Sequence, residues 1–116
     1  MFKVLVCGGR DFDDYQRVWF ELFMLSEEIG EPLMVIHGGA RGADQLAGRA
    51  AKELGFHSAE VPALWDTHGK SAGPIRNQAM LALGPSLGLV FPGGRGTADM
   101  VARLRAAKIE ARLIRQ

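Results

Sequence analysis

Short apolar runs alternate along the whole chain with segments whose apolar residues fall at helical spacing. Phe2 to Val6 reads as a buried strand. Asp13, with Gln16 three residues on, makes a capping-box pattern for a helix. Tyr15, Val18, Trp19, Leu22, Phe23 and Ile29 follow at helical spacing, and Gly30 before Pro32 ends the run. Leu33 to Ile36 is a second strand. Ala43, Leu46, Ala47, Ala50, Ala51 and Leu54 form a small-residue helix face closed by Gly55. Phe56 to Val61 reads as a third strand, and a loop rich in Pro, Gly and Trp follows it. Pro74, at a first helical position, opens a helix through Leu83 that Gly84-Pro85 stops. Leu87 to Phe91 is a fourth strand, Thr97 to Ala107 the last helix, and Ile109 to Ile114 a fifth strand whose polar alternation suits an exposed edge. Strand-helix alternation of this kind predicts a parallel sheet with right-handed crossovers. The expected fold is a single Rossmann-like α/β domain over residues 1–116, in three layers, with about five parallel strands in the order 3-2-1-4-5. No internal repeat, linker or low-complexity tract interrupts it.

The glycines fall where such a sheet binds ligands. Of the 15 glycines, Gly8 and Gly9 follow the first strand, Gly38, Gly39 and Gly42 the second, and Gly93, Gly94 and Gly96 the fourth. All lie at carboxyl ends of strands, where helices begin and open parallel sheets take their ligands. Glycine lets backbone N–H groups approach a ligand closely, and a helix N-terminus favours an anion. Tight turning alone would explain one such loop. Each of the three also carries an arginine (Arg10, Arg41, Arg95), the residue suited to bidentate phosphate recognition, and together they point to a phosphate-bearing ligand. In Phe91 to Thr97 the glycines can form a backbone nest, and Thr97 can cap the helix or offer a hydroxyl to phosphate.

Composition narrows the class. An apolar fraction of 47% and a charged fraction of 23% are those of an ordinary globular domain. No run approaches the roughly 20 apolar residues that span a bilayer, and the N-terminus lacks the pattern of a signal peptide. The single cysteine, Cys7, forms no internal disulfide and fits the reducing cytoplasm. A net charge of +1 gives no electrostatic case for a dedicated duplex-DNA binder. Cations outside the glycine loops cluster late, at Arg103, Arg105, Lys108, Arg112 and Arg115, and read as a solvated face.

Val6 to Phe12, His37 to Asp44, Ala72 to Asn77 continuing to Met80, and Phe91 to Thr97 make four ordered blocks. Together they resemble the YspA, cpYpsA-related branch of the SLOG superfamily, which includes the LONELY GUY phosphoribohydrolases and DNA-processing protein A. The resemblance implies a Rossmann-like sheet binding a nucleotide or a nucleotide-derived ligand, AMP or ADP-ribose-like, as a sensor or a nucleotide-processing domain. In the LONELY GUY enzymes an Arg and a Glu cleave the N-glycosidic bond of nucleoside monophosphates. Arg76 stands at the position of that Arg. Met100 stands at the position of the Glu and can do no acid–base chemistry, while Asp99, turned about 100° from it on a helix, is expected to point elsewhere. Asp11 and Asp44, each just after a glycine loop, are the carboxylates expected near the pocket, to hold ribose or to serve catalysis beside Arg76. Asn77 joins the binding set. The related enzymes also pair, and Phe20 and Met24 widen the apolar band of the first helix, so a homodimer is expected.

Other features mislead. Gly69-Lys70-Ser71 ends like a phosphate-binding P-loop, but Leu64 stands where its first glycine should be, and Gly8-Gly9 lacks the dinucleotide spacing, so no dedicated cofactor is expected. His37, His57 and His68 have no partners at metal-ligand spacing. Cys7 reads as a small core residue, Phe12 as core, and Trp65 either as core or as a surface on which a base stacks. Single-stranded nucleic acid remains the competing ligand class, and enzyme and sensor both stay open.

Overall fold

The computed structural model describes residues 1–115. Its strands are β1 (Phe2–Cys7), β2 (Leu33–His37), β3 (His57–Glu60), β4 (Leu87–Val90) and β5 (Glu110–Leu113). They form one sheet in the order β3-β2-β1-β4-β5, with every pairing parallel. The protein is thus a doubly wound Rossmann-like α/β domain. β1 lies at the centre, pairing β2 from Phe2–Leu33 to Leu5–Ile36 and β4 from Val4–Leu87 to Cys7–Val90. Both edge strands are short and partly exposed, which limits unwanted pairing.

Alternate residues of the strands face opposite helical layers. Val4, Val6, Leu33, Val35, Leu87 and Leu89 meet α1 (Tyr15–Ile29) and α2 (Ala43–Leu54) through Val18, Leu22, Leu25 and the alanines of α2. On the other side Leu5, Cys7, Ile36 and Val90 meet Met80 of α4 (Ala72–Ala82) and Met100 and Leu104 of α5 (Arg95–Ala106). Ala43, Ala47, Ala50 and Ala51 are wholly buried, and their small size lets α2 approach the sheet closely.

Beyond one-residue differences at strand and helix ends, the structure departs from the sequence pattern in four places. Asp14, not Asp13, caps α1, its carboxylate accepting from the Arg17 N–H at 3.1 Å. Pro74 is the third residue of α4, a position that costs no hydrogen bond because first-turn N–H groups have no helical partner. Thr97 does not cap α5, which starts at Arg95 after Gly94. The loop expected after β3 holds a short helix, α3 (Trp65–His68), and a 3-10 turn, Gly69–Ser71, neither with a buried residue.

Candidate functional site

Strand order reverses between β1 and β4, so the loops leaving these strands diverge and open a crevice at their carboxyl ends. A cavity of about 570 Å³ fills it, within the usual range for small-molecule sites. The end of β1 and the loop after it contribute Cys7, Gly8, Gly9 and Arg10 to its wall, and α5 with the residue before it contributes Gly94, Arg95, Gly96, Thr97 and Asp99. Asp44 comes from α2, and Arg76, Asn77 and Met80 from α4. A second cavity of about 290 Å³ is lined by Gly38, Gly39 and Arg41 and shares Arg10, Ala40, Trp65 and Arg76 with the first. The two are lobes of one cleft.

Not every glycine of these loops faces the cleft. Gly42 caps α2, and a Cβ there would strike the backbone of Gly9 and Arg10. A Cβ on Gly93 would lie 2.6 Å from the Gly9 nitrogen, and Gly9 itself donates to the Pro92 carbonyl at 2.8 Å. These two residues are glycine because loops pack on one another, and Gly93 borders a shallow depression beside Asp11 rather than the main cavity. A Cβ added to Gly94 or Gly96 would meet nothing within 4 Å, so both leave room at the α5 N-terminus.

Arg76 is held by two bonds. Its Nη1 donates to the Gly38 carbonyl at 2.9 Å and its Nε to Asn77 Oδ1 at 3.1 Å. Asn77, buried, donates in turn through Nδ2 to Asp99 Oδ2 at 2.9 Å and to the Gly96 carbonyl at 3.3 Å. Asp99 also accepts from Arg103 Nε at 2.8 Å. Burial pushes the Asp99 pKa up, but the bonds from Arg103 and Asn77 and the Arg103 charge outweigh it and hold the carboxyl below its ordinary value. Asp99 faces the cavity, against the sequence expectation, while Met100 is buried in the core against the sheet. Met100 and Leu104 set the core stripe of α5, and Gly96, Asp99 and Arg103 lie along one flank of it.

The other carboxylates divide sharply. Asp44 is buried and accepts from the Ala40 N–H at 3.3 Å. Burial raises its pKa more than that bond, Arg76 and His37 lower it. Asp11 is almost fully exposed, lies outside the main cavity, and pairs with Arg41 Nη2 at 3.1 Å on the surface. Asp11 thus lies at the surface, outside the main cavity, beside the second lobe that its partner Arg41 lines. Burial, reinforced by the charge of Asp44 and opposed by Arg76, pushes the Cys7 thiol up to about 12. It stays protonated and serves as cavity wall, not nucleophile. Phe12 packs on Phe91 with ring centroids 5.2 Å apart, as core. Among the described residues no helix is long and apolar enough to cross a membrane.

The chain belongs to the YspA, cpYpsA-related SLOG family, whose model matches residues 2–68. Gene 61 protein of Mycobacterium phage D29 is 40% identical over 102 residues, which cover 82% of this chain and 80% of that protein. The X-ray structure of DNA processing protein A from Streptococcus pneumoniae superposes with a TM-score of 0.78 at 20% identity. That likeness covers 100% of this chain but spans only 51% of the other, and it speaks for the fold.

Proposed function

We propose that this protein binds a nucleotide or nucleotide-derived ligand, AMP or ADP-ribose-like, in the cleft between β1 and β4, as a sensor or nucleotide-processing domain. The observation that carries the reading is one cavity walled on one side by the α5 N-terminus, Gly94 to Thr97, and on the other by the tethered guanidinium of Arg76. A phosphate over that helix end would meet N–H groups and the positive end of the helix dipole. Arg10 and Arg95 add charge at the rim, and the lobe at Gly38, Gly39 and Arg41 has space for a second moiety. Isothermal titration against a nucleotide panel tests this, and the absence of binding at millimolar concentration would overturn it.

A second reading, hydrolysis of the N-glycosidic bond of a nucleoside monophosphate, is favoured by one observation: Asp44 and Asp99 wall the same cavity as Arg76. Binding of single-stranded nucleic acid is less well supported. It needs an extended basic groove, whereas Arg103 is tied to Asp99, and Arg112 to Glu28 and Glu110. The reading includes the cytoplasm, on the lone buried thiol, and a homodimer through α1. Phe20 and Met24 are exposed there. They share a face with the Arg17–Glu21 ion pair, whose opposite charges allow that face to meet a copy of itself without like-charge repulsion.

A further inference from the structure

Trp65 is the largest side chain in a segment that has no core of its own. Neither α3 nor the turn after it contains a buried residue, and Trp65 is 48% exposed. Packing does not account for an indole at this position. Its place in the cleft does: it lines both lobes, standing on the ridge between the cavity of about 570 Å³ and that of about 290 Å³. Its ring edge is seated beside Gly73, where an added Cβ would lie 3.6 Å from Cη2. The guanidinium of Arg10 lies over the ring, 5.7 Å from its centroid. Among the described residues that guanidinium has no hydrogen-bond or ion-pair partner. By contrast Trp19, the other indole, is already stacked on Phe23 at 5.3 Å.

A guanidinium and a nucleobase are both flat, and both stack on indole. The geometry points to Trp65 as the base-stacking residue of the nucleotide site, with the base of the ligand exchanging for Arg10 on the indole face. Arg10, which lines both lobes, is then released to phosphate beside Arg76. This rests on the nucleotide-binding reading above and adds to it the part of the ligand that Trp65 selects. The larger stacking surface of a purine makes purine nucleotides the preferred class.

The test measures binding of AMP, CMP and ribose 5-phosphate to the full chain by titration calorimetry, with tryptophan fluorescence followed in a Trp19→Phe background. AMP is expected to quench Trp65 emission and ribose 5-phosphate to leave it unchanged. Trp65→Ala should weaken AMP about tenfold and remove the preference of AMP over CMP, without weakening ribose 5-phosphate, because loss of the indole frees Arg10 as the base would. Trp65→Phe, which keeps an aromatic face, should retain most AMP affinity. Equal weakening of AMP and ribose 5-phosphate in Trp65→Ala, or unchanged AMP affinity, overturns the stacking role and leaves the nucleotide site standing. Failure of both ligands to bind the unmodified protein overturns both readings.

Discussion

The Arg76 guanidinium rests directly on Gly38, donating to its carbonyl at 2.9 Å across 38 residues of sequence. A Cβ on Gly38 would collide with that guanidinium and lie 2.8 Å from Asp44 Oδ2. Gly38 is thus the seat of Arg76, and its side-chain-free backbone fixes where the charge points. Arg76→Ala should weaken nucleotide binding by about 1.5–3 kcal/mol, the range for hydrogen bonds to a charged group. Gly38→Ala should also weaken it, by displacing Arg76, although position 38 keeps its carbonyl. Titration of both variants checks this, and full affinity in Gly38→Ala would show that the seat is dispensable.

Two glycines of the cleft should respond oppositely to alanine. A Cβ on Gly8 would lie 2.6 Å from Ala43 Cβ and 2.9 Å from Phe91 Cβ, atoms with little freedom to move. Gly8→Ala should destabilise the fold by ~1–3 kcal/mol through overpacking. Gly96, in the first turn of α5 with open space around it, should gain at most ~0.5 kcal/mol on becoming alanine, the lower end of the helix-interior effect. Urea unfolding of the two variants reads both signs.

Acid should destabilise the protein through His37. The imidazole is buried, and its Nδ1 accepts from the Gly39 N–H at 3.0 Å, which requires that nitrogen to be unprotonated. Burial lowers its pKa from 6.5, against the opposing charges of Asp44 and Glu60. The unfolded chain therefore takes up the proton first. Stability from this group is full above pH 6.5 and is lost as the pH falls through the depressed value. Asp44, raised from 3.8 by burial, acts with the opposite sign at the acid end of the range. Melting temperatures from pH 5 to 7, a window on the order of the histidine range, should fall with acid in the native protein and be flatter in His37→Asn. An identical slope in the variant would assign the effect elsewhere.

Incubation with AMP should release no adenine above background. Asp99 faces the cavity, but two donors already occupy its Oδ2 oxygen, and Asp44 is committed to the loop before α2. The Arg103 guanidinium and the Asn77 amide already offset the Asp99 charge, which leaves less of it to stabilise a cation developing on a ribose. Chromatography of the reaction mixture decides the matter. Adenine release that disappears in both Asp99→Asn and Arg76→Ala would establish the hydrolase instead.

The α1 face gives a mass prediction. Light scattering at tens of micromolar protein should report a dimer, and Phe20→Glu with Met24→Glu should give a monomer with an unchanged melting curve at low concentration. A monomer mass for the unmodified chain rejects the pairing.

Strand order was legible through the strand-helix alternation and the doubly wound pattern, and the edge that holds the cleft through the glycines in the loops after β1, β2 and β4. The facing of α5 was not. Starting that helix at Thr97 hid Gly96 and Asp99 on a shared flank, although the Met100–Leu104 spacing of one core stripe carried the phase. Asp13 and Asp14 offer the same capping chemistry one residue apart, and only the position of the first helical turn decides between them. α3 carries no apolar stripe, so periodicity had nothing to detect. Asp11 and Asp44 both follow glycine loops, but only Asp44, in the first turn of α2, is buried, its carboxylate accepting from the Ala40 N–H.

The cleft straddles the joint between two halves of the sheet. In the sheet, β2 and β3 lie on one side of β1, and β4 and β5 on the other. A ligand touching Arg10 and Asp44 on one side and Asn77 and Gly96 on the other is a cross-brace over that joint. Its binding should slow amide exchange in both halves together, including at strand ends it never touches, so that occupancy of the cleft becomes a mechanical property of the whole sheet.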